Sequence, residues 1–104
     1  MIMNKMDKII SILEEDFNIY RYNNEIELET WTNGGVDMLI YINLDEDFIT
    51  QFEEYIENFD IDEEIDLHRQ GADYRRDFTI TESVDDFRGY VEWLKDILEK
   101  LKEV

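Results

Sequence analysis

The stretch Glu25-Ile26-Glu27-Leu28-Glu29-Thr30-Trp31-Thr32-Asn33-Gly34-Gly35-Val36-Asp37-Met38-Leu39-Ile40-Tyr41-Ile42-Asn43-Leu44 decides the fold. Its first part alternates strictly. Ile26 and Leu28 point one way, while Glu25, Glu27, Glu29 and Trp31 point the other. A period of two is the mark of a half-buried strand. Asn33-Gly34-Gly35 then supplies residues that tolerate positive φ, as a tight hairpin needs. Val36, Met38, Ile40, Ile42 and Leu44 resume the alternation on the far side of the turn. The segment reads as a β-hairpin with one apolar face and one acidic face.

Upstream, the aromatic-rich segment Phe17 to Tyr22 is separated from Glu25 by Asn23-Asn24, a two-residue turn. This adds a first strand and makes a three-stranded antiparallel meander. Before it, Met6, Ile9, Ile10, Leu13 and Phe17 follow helical spacing, predicting a helix over 5–16 with Asn4 as its N-cap.

Downstream, Phe48, Phe52, Tyr55, Ile56 and Phe59 predict a helix over 46–59, capped by Asp45 or Asp47. Asp60-Ile61-Asp62-Glu63 has the spacing of a capping box and opens a short helix that runs to about Gln70, with Gly71 as its stop. Residues 71–80 read as a loop with a brief extended piece at Phe78-Thr79-Ile80. The last helix is capped by Ser83 and carries Val84, Phe87, Val91, Leu94, Leu98 and Leu101 at alternating spacings of three and four, widened by Tyr90 and Ile97. That stripe packs across the sheet or, alternatively, forms a dimer seam. The expected fold is therefore α+β, a small three-stranded antiparallel sheet packed against helices in the order α-β-β-β-α-α-α. One domain spans 1–104, as monomer or homodimer.

The chain has 28 acidic and 10 basic residues, a formal charge of -18, yet 43% of its residues are hydrophobic. That is enough apolar material for a core, so the charge is not a mark of disorder. No Lys or Arg occurs between Arg21 and Arg69, and this window holds fifteen acids. A surface that is merely soluble mixes signs. The acids Glu25, Glu27, Glu29, Asp37, Glu53, Glu54, Glu57, Asp60, Asp62, Glu63, Glu64 and Asp66, with Trp31 among them, are the expected partner-binding residues. Tyr20 and Tyr22 are further candidate anchors. Glu25, Glu27 and Glu29 would repeat at about 6.6–6.8 Å along one strand face, twice the step of about 3.4 Å between phosphates of one DNA strand.

Other chemistries find little support in the residues. There is no cysteine and a single histidine, His68, with no nucleophile-elbow sequence around it. No enzyme activity and no cofactor are expected. Asp60-x-Asp62-x-Glu64-x-Asp66 mimics calcium-ligand spacing, but Ile65 and Gly71 stand where a calcium loop has Gly and a bidentate Glu. Starting instead at Asn43, Glu54 fills the twelfth place but Phe48 replaces the glycine. No specific metal site is expected. Arg69, Arg75 and Arg76 make too small a basic cluster to bind nucleic acid directly, and read as partners of Asp73 and Asp77. The longest apolar run, Met38 to Ile42, is too short to span a bilayer. The N-terminus lacks a basic stretch followed by a long apolar run, so no signal peptide is expected and a cytoplasmic location is.

Trp31-Thr32-Asn33-Gly34-Gly35-Val36-Asp37, Phe59-Asp60-Ile61-Asp62-Glu63, Gly71 and an acidic-capped helix from Ser83 resemble, as a pattern of elements over roughly residues 28–100, small acidic proteins of phages and mobile elements, a group that includes anti-CRISPR and anti-restriction inhibitors. The resemblance implies an inhibitor in the host cytoplasm that occludes the nucleic-acid channel of a defence nuclease or effector complex. It assigns no individual residue. The sequence thus leads to an acidic nucleic-acid mimic with a basic nucleic-acid-binding protein as partner. The alternative is a general interaction or immunity-type module in which acids steer and aromatics anchor.

Overall fold

A computed structural model describes residues 4–70 and 79–104 of the chain, with side chains of 68–70 excepted. The elements run α1 (Lys5–Leu13), β1 (Asn18–Tyr22), β2 (Glu25–Trp31), β3 (Asp37–Asn43), α2 (Phe48–Glu57), α3 (Ile61–Gln70) and α4 (Ile80–Lys102). The three strands form one antiparallel sheet in the order β1-β2-β3. The expected α+β order is the observed one.

Two turns set the register. Asn23 takes a positive φ of 31° between β1 and β2, and the pairing runs from Tyr22↔Glu25 to Asn18↔Glu29. At the second turn Gly35 has φ 88°, a region open to glycine at little cost. Thr32 closes this turn with both its backbone and its side chain. Its N–H donates to the Val36 carbonyl at 3.0 Å, and its hydroxyl accepts from the Val36 N–H at 3.1 Å. The β2–β3 ladder then extends from Trp31↔Asp37 to Glu25↔Asn43.

The sheet buries only one face. Ile26, Leu28, Met38, Ile40 and Ile42 join a single core with Ile9, Ile10 and Leu13 of α1, Phe48, Phe52 and Ile56 of α2, Ile65 of α3 and Phe87, Leu94 and Leu101 of α4. All four helices therefore lie on the same side of the sheet, and the opposite side faces solvent. The buried stripe of α4 is consumed inside this core. It packs against the molecule's own elements, as the simpler reading of its spacing predicts.

Helix ends differ from expectation in three places. α1 stops at Leu13, not at residue 16, because Glu14, Glu15 and Asp16 put three acids at the negative end of the helix dipole. α2 is shorter than 46–59. Asp47 is its N-cap and accepts from the Thr50 N–H at 2.9 Å and the Thr50 hydroxyl at 2.7 Å. α4 begins three residues before Ser83. Thr79 is the cap in a full capping box with Glu82, and Ser83 is buried within the helix. Ile80 is therefore helical, Thr79 has the expected extended backbone, and Phe78 lies outside the described residues. The proposed cap of α3 holds, since Asp60 accepts from the Glu63 N–H at 3.2 Å. The expectations for His68, Arg69, Gly71, Asp73, Arg75, Arg76 and Asp77 fall outside the described residues and side chains.

The Gln51 side chain ties α2 to the end of β3. Its Oε1 accepts from the Asn43 N–H at 2.8 Å and its Nε2 donates to the Asn43 carbonyl at 2.7 Å. Between α2 and α4 the hydroxyls of Tyr55 and Tyr90 lie 3.1 Å apart. Phe59 packs its ring against Phe87 and Tyr90.

Candidate functional site

The alternation that sends Ile26, Leu28 and their β3 counterparts inward sends a second set of side chains outward. The pairing register arranges them in rows across the sheet. Tyr20, Glu27 and Tyr41 form one row; Tyr22, Glu25 and Asn43 form the next. Asn18, Glu29 and Leu39 form a third, and Trp31 faces Asp37 at the end. Glutamates thus make the central column, with aromatic side chains on both flanks. None of the residues that the strands direct to this face is Lys or Arg. Arg21 lies on β1 but alternates to the other side.

The aromatics are open to solvent. Tyr20 is 43% exposed, Tyr22 55%, Tyr41 57% and Trp31 51%. Four large, solvent-exposed aromatic side chains thus share one face of the sheet. Such residues dominate the energetics of protein interfaces.

Neutral donors orient the carboxylates. The Tyr20 hydroxyl reaches diagonally to Glu29 Oε1 at 3.3 Å, and the Tyr22 hydroxyl to Glu27 Oε2 at 3.4 Å. Asn18 Nδ2 donates to Glu29 Oε1 at 3.4 Å. These bonds are long, so they bias the side chains without locking them. The donors carry no charge and leave the negative field in place. In return, the Glu29 charge raises the Tyr20 phenol above its ordinary 10.0. The Glu27 charge does the same to Tyr22, and a hydrogen bond to Glu27 does so to Tyr41.

The structure divides the acids that the sequence grouped together. Glu25, Glu27, Glu29 and Asp37 share the open sheet face with Trp31. Glu53, Glu54 and Glu57 stand on α2, and Asp60, Asp62, Glu63, Glu64 and Asp66 on or beside α3, in the helical layer behind the sheet. A single anionic face made of all these residues does not exist. Within the helical group, Glu53 Oε2 is 2.9 Å from Lys102 Nζ, and this bond raises the Lys102 pKa.

Tyr41 and Leu39 belong to the open face but were not among the expected binding residues. Their signal was present, because they alternate with Met38, Ile40 and Ile42 along β3.

A second feature lies where the sheet meets α4. A cleft of about 320 Å³ is lined by Asp16, Thr30, Trp31, Thr32, Asn33, Gly89, Tyr90 and Trp93. Trp93 is held in place by Phe17, stacked at 5.3 Å between ring centroids, and by Tyr90 at 6.3 Å. Gly89 sits inside a helix, where glycine costs roughly 0.5–1 kcal/mol relative to alanine. A Cβ built there meets nothing within 4 Å, so packing does not demand the glycine.

Among the described residues, no three His, Cys, Asp or Glu side chains converge as a metal ion would require. Nor is any helix among them long and apolar enough to cross a membrane. No protein-family model matches the chain, and no curated protein or solved structure is detectably similar to it.

Proposed function

We propose that this is an acidic binding protein that docks the open face of its sheet onto a basic surface of a partner protein in the cytoplasm. One observation carries this reading: exposed Tyr20, Tyr22, Tyr41 and Trp31 surround a column of three glutamates on a face without Lys or Arg. The role is binding, not catalysis. The glutamates steer the partner and select its charge, and the aromatic rings supply the contact area. A second copy of the same face is a poor partner, because glutamate would meet glutamate.

The partner surface that fits best is one built for nucleic acid. A rigid strand carries carboxylates at every second residue, as the groove of a nuclease or effector complex meets phosphates at regular steps. On this reading the protein inhibits by occupying that groove, in the manner of anti-CRISPR and anti-restriction proteins. The helical acids of α2 and α3 add long-range attraction from the other side of the molecule. A general interaction module remains the second reading, favoured by the ring of aromatics, which a purely electrostatic mimic does not need.

Partner capture with competition separates the two. The protein is immobilised, a basic nucleic-acid-binding protein is retained, and duplex DNA is added. Release by DNA supports the mimic; a ternary complex with DNA supports the module. Retention that survives Tyr20→Ala, Tyr41→Ala and Glu27→Gln together excludes the sheet face from either role.

A further inference from the structure

The cleft beside α4 lies between the end of β2 and the helix. The β1–β2 ladder ends at Asn18↔Glu29, but β2 continues to Trp31, paired on its other side with Asp37. Beyond Asn18 that flank of β2 has no strand beside it. The Thr32 N–H bonds to Val36 across the β3 side. By alternation, the peptide groups of Trp31 are aimed the opposite way, at the opening.

α4 supplies the other wall. Gly89 leaves that wall bare of a side chain, and the space beyond it is open. Its absent side chain serves no close approach between backbones, and its effect is to keep the cleft clear. Trp93 presents an indole fixed by Phe17 and Tyr90, and Asp16, an acidic residue, lines the rim. At about 320 Å³ the space is at the small end of ligand sites, which run from roughly 300 to 1,000 Å³. It suits a single side chain better than a cofactor.

We infer that this cleft takes an arginine side chain of the basic partner, with the guanidinium against the indole of Trp93, beside the end of β2 at Trp31, and hydrogen-bonded to Asp16. The inference rests on the reading of a basic protein partner and adds a specific anchor to it. Charge selects a cation, given a formal net charge of -18. Shape selects arginine over lysine. A planar guanidinium stacks on an indole, donates in a fork to a carboxylate and is more weakly hydrated than an ammonium. Its remaining N–H groups can reach the carbonyl that Trp31 turns towards the cleft.

The test uses a capped Gly-Arg-Gly tripeptide as probe and the indole N–H resonances of the full chain as readout. The chain has two tryptophans, so removing either one assigns the other. The Trp93 indole signal is expected to shift saturably with the arginine peptide. Binding of the lysine and citrulline counterparts is expected to be weaker by about tenfold, the scale of one lost charge-assisted contact. Gly89→Leu, which fills the space, and Asp16→Asn, which removes the charge, should each weaken binding by at least about tenfold. Equal shifts with the lysine peptide, shifts that survive both substitutions, or no saturable shift would overturn the assignment. Tyr20→Ala and Tyr41→Ala should leave peptide binding unchanged. If these two variants abolish peptide binding, the probe sits on the sheet face and the cleft assignment fails. If they leave partner capture intact while Gly89→Leu abolishes it, the cleft stands and the sheet face does not.

Discussion

The backbone N–H of Gly34 donates to a carboxylate oxygen of Asp86 at 2.8 Å, although the two residues are 52 positions apart. This bond fixes the tip of the β2–β3 hairpin against α4. It therefore also sets where Trp31 and Asn33 stand relative to Gly89 and Trp93. Asp86→Ala removes a charged, part-buried acceptor and should destabilise the protein by about 1–3 kcal/mol. Asp86→Asn keeps an acceptor oxygen and should cost less. Urea denaturation gives both values, and equal losses for the two variants would show that this hydrogen bond is not the cause.

On the open face, stability and binding should separate. Tyr41→Ala removes a side chain that is 57% exposed, so its effect on folding should stay within about 1 kcal/mol, the scale of a cross-strand pair. Its effect on partner affinity should reach about 2 kcal/mol, the range of an interface anchor. Glu27→Gln should instead slow association and flatten its dependence on salt. Stopped-flow binding at several ionic strengths distinguishes the two effects.

High pH should unfold the protein through the tyrosine pair. Burial pushes the Tyr55 phenol up to about 12, and burial also raises Tyr90 strongly. Tyr55 ionises first of the two, because Tyr90 can then donate to its phenolate. In the unfolded chain both titrate near 10.0. Their contribution is thus fully present below about pH 10 and is lost as pH rises towards 12. For Tyr55 alone the loss is on the order of 1–3 kcal/mol. Circular dichroism between pH 9 and 12 should show this fall, and Tyr55→Phe should reduce it.

The start of α4 offers a further check. Thr79→Ala removes a cap whose hydroxyl accepts from the Glu82 N–H at 3.1 Å. It should cost about 1 kcal/mol, with a range of roughly 0.5–2. Thr79→Ser should retain most of the stability. Thermal melts of the two variants measure the difference.

That cap was legible and was misread. Phe78-Thr79-Ile80 reads as a brief extended piece, while Glu82 three residues after Thr79 marks a helix start. The cap rule outweighed β propensity because the helix has a buried face to align, with Ser83 and Phe87 already inside the core. The sheet was easier, because a period of two along β2 and β3 admits one arrangement with an apolar inner face. The grouping of the acids failed for a different reason. A window free of Lys and Arg is a one-dimensional fact, and it passes through the sheet and then through two helices on the sheet's other side. The cleft depends on where β1 stops pairing with β2 and on how α4 lies beside that gap. Neither is encoded in local spacing, so Gly89 and Trp93 carried no mark in the sequence.

The amide of Gln51 answers both polar groups of Asn43 at once, donating to one and accepting from the other. In that position it imitates the peptide unit of a fourth strand. An incoming chain that tried to extend the sheet beside β3 at this point would have to evict it first. The helix that follows β3 therefore blocks the edge of the sheet at this one point, a device by which natural proteins resist edge-to-edge growth. At that end of β3 a visitor is turned away from the edge, towards the broad side of the sheet or the cleft beside α4.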